Sequence, residues 1–179
     1  MRNPIRPTRT PPKSRPSKAL DYLWSPWRYP YLTALQKPEG CIFCIMAAAG
    51  DDENTLIVFR GEHNFVVLNR FPYTSGHLMV VPYKHVPDLA GISEEAASEL
   101  MTLTRTAERH IRWLYRPDGL NLGMNLGESA GAGVAGHIHM HVLPRWTGDA
   151  NFMTTVGQTR ILPEELPVTW KRMRDAFSS

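Results

Sequence analysis

Three histidines stand one residue apart near the end of the chain, in the stretch GHIHMHVLPRW. They are His137, His139 and His141, and apolar residues separate them. Because successive side chains of a strand point to opposite faces, this pattern predicts a strand with one face in the core and the histidine face on a cleft. Three imidazoles on one face suit a metal site, or covalent catalysis with an imidazole nucleophile.

A glycine-rich loop, GESAGAGVAG, comes directly before these histidines. Glycine lets backbone N–H groups approach a ligand closely, and turns of this kind bind phosphate oxygens. Glycines alone are a weak signal, but their position next to the histidine strand favours a site where phosphate lies beside imidazole.

A second motif that could carry chemistry is CIFC, which places Cys41 and Cys44 near the predicted start of the folded region. Two cysteines at this spacing are compatible with a redox pair, with structural packing, or with half of a zinc site. The motif by itself leaves these three interpretations open.

The elements that must position these motifs follow from apolar runs and turn residues. Three strands are predicted at Thr55–Phe59, Phe65–Leu68 and His77–Val81. A long helix is predicted in the stretch 92–115, where Ser93 can cap it and apolar residues recur at helical spacing on one face. GLNLGMNLG predicts another strand, the histidine run the last strand, and PEELPVTWKRMRDAF a closing helix. Strands, a long helix and strands again indicate an α+β fold with a mostly antiparallel sheet.

Composition sets the expected class and location. Residues 1–20 carry six of the 20 basic residues and none of the 17 acidic ones. They predict a disordered, Pro-rich basic tail before a single domain at 21–179, which begins with an aromatic arm. The remaining chain is slightly acidic, so nucleic-acid binding is not expected beyond weak contact through the tail. With two cysteines and no apolar run of membrane-spanning length, we expect a cytoplasmic protein without membrane contact.

The motifs together resemble the histidine-triad family of nucleotide hydrolases and transferases. HIHMHVL has the form of its signature, LNRFPYTSGHLMVVPYKHV is similar to its nucleoside-binding strands, and CIFC is similar to the start of many bacterial members. LWSPWRYPYL and HVLPRWTGDANFM resemble the bacterial branch that cleaves diadenosine tetraphosphate. The resemblance implies the histidine-triad fold, a five-stranded antiparallel sheet with flanking helices, in a homodimer.

The resemblance also implies a role for each candidate residue. His139 would attack the α-phosphorus of a nucleotide and form a covalent intermediate that is released to phosphate or water. His141 would contact the leaving group, and His137 and His77 would complete the catalytic group. The implied substrate-binding residues are the two asparagines, four loop residues that would bind phosphate through backbone amides, and a tryptophan that would stack on a base or pack between subunits: Asn69, Asn125, Gly131, Ala132, Gly133, Val134 and Trp146.

In zinc-bearing members of the family, two histidines join the two cysteines. The matching positions here are His85 and His137, so the resemblance implies a structural zinc held by Cys41, Cys44, His85 and His137. No catalytic metal is expected for the nucleotidyl transfer.

Three other functions compete with cleavage of dinucleoside polyphosphates. An adenosine phosphoramidate hydrolase would use the same nucleophile. A metalloenzyme would use His137, His139 and His141 together as ligands, which would leave CIFC without a purpose. A nucleotide-sensing or scaffolding module would not turn over, although an intact triad argues against it.

Overall fold

A computed structural model describes residues 40–151, 154 and 162–179 of the chain. The predicted basic tail and the aromatic arm lie outside the described residues. The sheet has five antiparallel strands in the order β1-β2-β3-β5-β4, which confirms the predicted fold class. The strands are β1 (Ile57–Arg60), β2 (Asn64–Leu68), β3 (Leu78–Pro82), β4 (Gly119–Gly123) and β5 (Met140–Arg145).

Four α-helices lie wholly within the described residues: α1 (Ile42–Ala48), α2 (Asp52–Thr55), α3 (Glu94–Tyr115) and α4 (Leu166–Ser178). Two short 3-10 helices, Leu89–Gly91 and Glu128–Ala130, lie in the connections. None of the helices described here is long and apolar enough to cross a membrane.

The long helix α3 forms where its sequence predicts it. Ser93 caps the helix by accepting a hydrogen bond from the Ala96 N–H at 3.2 Å, and two glutamates occupy the first turn. Its buried face consists of residues at helical spacing, namely Ala96, Leu100, Leu103, Thr104, Ala107 and Ile111. This face packs on the sheet and covers the strands that position the site.

The central strands β2 and β3 are buried along their whole length. They pair in register from Leu68 opposite Leu78 to Asn64 opposite Pro82. Burial on both faces explains why their sequences are continuous apolar runs instead of alternating patterns. The two predicted strands agree with these bounds to within one residue at each end.

The histidine strand is shorter than predicted. Strand β5 begins at Met140, so His141 lies in the strand whereas His137 and His139 precede it. The ladder to β3 runs from Leu78 opposite Val142 to Val80 opposite Met140, and it stops before the last two residues of β3, Val81 and Pro82. Ile138 instead donates its N–H to the Val86 carbonyl at 2.9 Å, beyond the end of β3.

The prediction of an exposed histidine face also requires correction. His137 and His139 are 1% and 5% exposed, and only His141 is half-buried. The apolar side is as expected, because Ile138 and Val142 are buried in the core.

Helix α1 begins inside the CIFC motif, at Ile42, and takes Cys41 as its N-cap residue. The Cys41 carbonyl accepts the Ile45 N–H at 3.0 Å. One helical turn therefore separates the two cysteines, which places both thiols on the same side of the helix start.

Candidate active site

His139 has one nitrogen held by the backbone. Its Nδ1 lies 2.9 Å from the His137 carbonyl oxygen, so Nδ1 must carry the proton that it donates. The neutral ring then keeps its lone pair on Nε2. Burial lowers the pKa of His139, although its hydrogen bond to the carbonyl opposes this shift. The arrangement supplies a neutral imidazole with a defined nucleophilic atom.

His141 is held by a second histidine. The His77 Nε2 and the His141 Nδ1 lie 2.9 Å apart. The other nitrogen of His77, Nδ1, accepts the Tyr73 backbone N–H at 3.2 Å, and the Asn69 Nδ2 lies 3.4 Å from it. Since Nδ1 of His77 accepts a hydrogen bond, the ring proton of neutral His77 is on Nε2, which donates a hydrogen bond to the Nδ1 of His141. His141 then carries its own proton on Nε2, where it can be donated to a substrate.

Burial keeps this pair neutral. Burial, followed by the proximity of His141 and His139, lowers the pKa of His77 to about 3. Burial and the proximity of His139 lower the pKa of His141 to about 4. The rings of His139 and His141 pack edge to face with centroids 4.8 Å apart. Two adjacent neutral imidazoles therefore present a lone pair and an N–H donor side by side.

The four predicted metal ligands come together at the start of α1. The ligand atoms of Cys41, Cys44, His85 and His137 all lie within 4.8 Å of one another. The His137 Nδ1 lies 3.3 Å from the Cys41 Sγ, 3.6 Å from the Cys44 Sγ and 3.2 Å from the His85 Nδ1. The Cys44 Sγ lies 3.5 Å from the His85 Nδ1. No other cluster of three or more candidate ligands occurs among the described residues.

These distances fit a tetrahedral zinc site. With Zn–S near 2.3 Å and Zn–N near 2.0 Å, the edges of the tetrahedron are about 3.3 Å between nitrogens and about 3.5 Å between nitrogen and sulfur. The observed separations match these edges. The far nitrogen of His137 also donates to the Pro82 carbonyl at 2.8 Å, which leaves the Nδ1 lone pair facing the other ligands.

The three histidines of the motif do not converge on one point. His137 directs Nδ1 to the cysteines, His139 uses Nδ1 for a carbonyl, and His141 uses Nδ1 for His77. The cluster of candidate metal ligands includes His137 but neither His139 nor His141. This geometry disfavours a metal bound by all three histidines.

Two backbone N–H groups of the glycine-rich loop form hydrogen bonds within the loop. The Gly131 N–H donates to the Glu128 carbonyl at 2.9 Å, and the Ala132 N–H donates to the Gly127 carbonyl at 3.3 Å. A phosphate oxygen would compete with these two bonds. The Val134 carbonyl accepts the His137 N–H at 3.3 Å, so the end of the loop is tied to the histidines.

Of the predicted substrate-binding side chains, Asn69 lies beside His77. The Asn69 side chain accepts the Phe71 N–H at 2.9 Å and approaches His77, so it supports that histidine in addition to any contact with ribose. Asn125 is half-buried and follows Gly123, which pairs with His141 across the sheet. Trp146 is half-buried just beyond β5, where its backbone N–H donates to Asp149 at 3.2 Å.

Two residues at the site had no role in the sequence-based prediction. Phe43 is 4% exposed, and its ring centroid lies 4.9 Å from that of His139 and 5.4 Å from that of His137. Its position between Cys41 and Cys44 in the sequence could have indicated that Phe43 lies near the histidines. Tyr73 acts through its backbone N–H and packs its ring 4.9 Å from His77, for which the sequence offers no signal.

Comparisons with known proteins agree with this geometry. The family model described as "HIT domain" matches residues 51–148. The AP-4-A phosphorylase of Mycobacterium tuberculosis (strain ATCC 25618 / H37Rv) is 42% identical over 155 residues, which are 82% of this chain and 79% of the relative. An uncharacterized HIT-like protein of Saccharolobus solfataricus is 34% identical over 63% of this chain and 79% of its own length.

Solved structures give the same fold. A Zn-bound histidine triad family protein from Mycobacterium smegmatis superposes with a TM-score of 0.62 at 27% identity, over 78% of this chain and 94% of that chain. A hypothetical histidine triad nucleotide-binding protein from Sulfolobus tokodaii gives a TM-score of 0.63 at 26% identity, over 77% of this chain and 92% of that chain. With the family match across the sheet and the histidine motif, these likenesses show that the chain belongs to the HIT domain family of histidine-triad proteins.

Proposed function

We propose that this chain cleaves dinucleoside polyphosphates such as diadenosine tetraphosphate at the α-phosphorus, through a nucleotide bound covalently to His139. The observation that carries the proposal is the hydrogen bond from the His139 Nδ1–H to the His137 carbonyl. It leaves the Nε2 lone pair of a buried, neutral imidazole available for attack. The similarity to an AP-4-A phosphorylase supports this class of substrate.

In the first step, the His139 Nε2 attacks the α-phosphorus, and the bond from phosphorus to the bridging oxygen breaks as the N–P bond forms. Negative charge develops on the departing oxygen. The His141 Nε2–H donates a hydrogen bond to that oxygen, because His77 occupies the other nitrogen of His141. The leaving group is the remainder of the polyphosphate chain.

In the second step, an acceptor oxygen attacks phosphorus and the N–P bond breaks, which returns His139 to its neutral form; a water acceptor gives up one proton to the solvent. Inorganic phosphate as acceptor would give a nucleoside diphosphate, and water would give a nucleoside monophosphate. We favour phosphate because the relative with 42% identity is named a phosphorylase. Asn69, Asn125, Trp146 and the backbone of 131–134 are proposed to hold the ribose, base and phosphates.

Zinc is the proposed resident of the Cys41, Cys44, His85 and His137 cluster. Bound there, the ion would act as a structural crosslink of four protein ligands. The chain's own residues do the positioning: α1 supplies both cysteines, the segment after β3 supplies His85, and the His137 carbonyl holds His139. Zinc in a similar structure supports the choice of metal.

The test incubates purified protein with diadenosine tetraphosphate, with and without inorganic phosphate, and separates the nucleotides. ADP plus ATP that appears only with phosphate identifies a phosphorylase, and AMP plus ATP without phosphate identifies a hydrolase. We expect His139→Asn to lose at least about 1,000-fold in kcat, because the nucleophile has no substitute. His63→Asn is the control, since His63 lies outside the triad and should retain wild-type turnover. Absence of product from the wild-type protein would overturn the proposal.

A further inference from the structure

Tyr115, the last residue of α3, contacts the turn that carries His77. A Cβ atom placed on Gly76 would lie 3.1 Å from Cε2 and 3.3 Å from Cδ2 of the Tyr115 ring, so the ring packs directly on the Gly76 backbone. Gly76 has φ +80°, a conformation that side-chain-bearing residues rarely adopt. The next residue in the chain is His77.

The turn fixes the ring of His77 by backbone contacts. The His77 N–H donates to the Thr74 carbonyl at 3.2 Å, and its carbonyl accepts the Asn69 N–H at 3.0 Å. The Tyr73 N–H defines the tautomer of the ring by donating to Nδ1. A small shift of this turn would therefore move both the position of His77 and the hydrogen bond that it donates to His141.

Helix α4 and the residues before it hold Tyr115 in place. The Tyr115 hydroxyl donates to the Glu164 carboxylate, which also forms an ion pair with Arg172 and accepts the Thr169 hydroxyl at 2.7 Å. The Arg172 guanidinium lies 4.7 Å from the centroid of the Tyr115 ring and donates to the Leu114 carbonyl at 3.1 Å. Four side chains thus lock the end of α3 to the C-terminal helix.

We propose that Tyr115 is a positioning residue for His77, and that Glu164 and Arg172 hold it against the Gly76 turn. The C-terminal helix thereby sets the geometry of the hydrogen bond between His77 and His141, although it supplies no atom to the triad. The effect on turnover rests on the proposed function, whereas the effect on the imidazole hydrogen bond does not.

A merely structural role for α4 is the competing explanation, and the helix itself offers a matched control. Arg174 is also on α4, pairs with Asp52 and donates to the Val58 carbonyl at 3.1 Å, away from Tyr115. The side chains of Arg172 and Arg174 are 40% and 39% exposed. Replacing either arginine by methionine removes one ion pair and one bond to a carbonyl, and Arg172→Met in addition removes the guanidinium from the face of the Tyr115 ring.

The experiment compares Arg172→Met and Arg174→Met in full-length protein. We expect Arg172→Met to lower kcat about tenfold with KM nearly unchanged, because misplaced groups lose turnover more than binding. Arg174→Met should keep kcat within about twofold at a similar loss of melting temperature. Equal loss of kcat in both variants, or no loss in Arg172→Met, would overturn the proposal.

A second experiment measures the hydrogen bond between His77 and His141 directly and does not depend on turnover. Nitrogen-15 NMR of the imidazoles should show a changed shift for the bonded nitrogens of His77 and His141 in Tyr115→Leu, and a smaller change in Tyr115→Phe, which keeps the ring. Unchanged shifts in folded Tyr115→Leu would overturn the proposal. If the wild-type protein turns over no dinucleoside polyphosphate, the proposed function is wrong. The NMR comparison still tests whether Tyr115 positions His77.

Discussion

The proposed reaction needs an unprotonated Nε2 on His139 and a protonated Nε2 on His141, although the centroids of the two rings lie only 4.8 Å apart. The chain meets both requirements because the Nδ1 atoms of the two histidines have different hydrogen-bond partners. Nδ1 of His139 donates to a carbonyl, and Nδ1 of His141 accepts from His77. Because both rings are neutral, neither needs a counterion, and burial stabilises the neutral state.

Burial of His77 predicts that stability depends on pH. Its folded-state pKa of about 3 lies below the ordinary value of 6.5, so its contribution is complete above pH 6.5 and is lost as the pH falls toward 3. Between pH 6.5 and 5, one such group lowers the free energy of unfolding by about 2 kcal/mol. Urea unfolding of the wild type and His77→Asn at these two pH values should show a smaller decrease in the variant. Equal decreases would show that His77 is not the group responsible.

The sequence singled out candidate site residues, but it did not show their contacts. The spacing of the histidines singled out His139, and the family resemblance added His77. The partners that assign their protons are a carbonyl two residues away and the Tyr73 backbone amide, and every residue type has these groups. Only the folded backbone shows which carbonyl or amide faces which ring nitrogen.

Helix α1 joins the candidate metal site to His139, the proposed nucleophile. Its first turn places Cys41 and Cys44 on one side, and Phe43 between them packs against both His137 and His139. Loss of a metal bound by the cysteines would therefore loosen the start of the helix and the Phe43 ring that packs on His139. We expect metal content and thermal stability to change together.

Zinc removal tests this link. Purified protein should hold about one zinc per chain, and Cys44→Ser should hold much less. A metal present at 100 times its dissociation constant adds about 2.7 kcal/mol, so chelation should lower the melting temperature by roughly 5–10 °C. Cys44→Ser is the control, because a chelator should hardly change its already lower melting temperature. A wild-type protein that binds no zinc, or that melts at the same temperature after chelation, would contradict the assignment.

The strands were predictable from their apolar runs, whereas the start of β5 was not. Alternation in HIHMHV favours a strand from His137, but the ladder to β3 ends with Val80 opposite Met140. The residues before Met140 bond elsewhere, because the Ile138 N–H donates to the Val86 carbonyl and the His137 side chain donates to the Pro82 carbonyl. Where the pairing stops depends on the register between the strands, which the sequence does not show.

At the scale of the whole molecule, β4 is an edge strand of the sheet that the described residues form. It pairs with β5 on one side, and its last three residues are exposed. Leu122 in β4 and Leu126 just after it are 49% and 44% exposed. An edge strand with exposed leucines favours pairing with another chain, which agrees with the dimer implied by the family resemblance.

The dimer is tested by light scattering after size-exclusion chromatography. We expect twice the chain mass for the wild type and the monomer mass for Leu122→Lys, because a charge at the edge opposes strand pairing. Leu89→Lys is the matched control, since Leu89 is 50% exposed but lies in a 3-10 helix outside the sheet. A monomeric wild type, or Leu122→Lys that remains a dimer, would contradict this interface.

The covalent intermediate is the most direct test of the account. Protein mixed with diadenosine tetraphosphate in the absence of phosphate should be quenched within milliseconds in alkali, which preserves N–P bonds, and analysed by mass spectrometry of peptides. We predict one adenylyl group on the peptide 137–145, located at His139 and absent from His139→Asn. An adenylyl group on another residue, or turnover by the wild type without any adduct, would contradict His139 as the nucleophile.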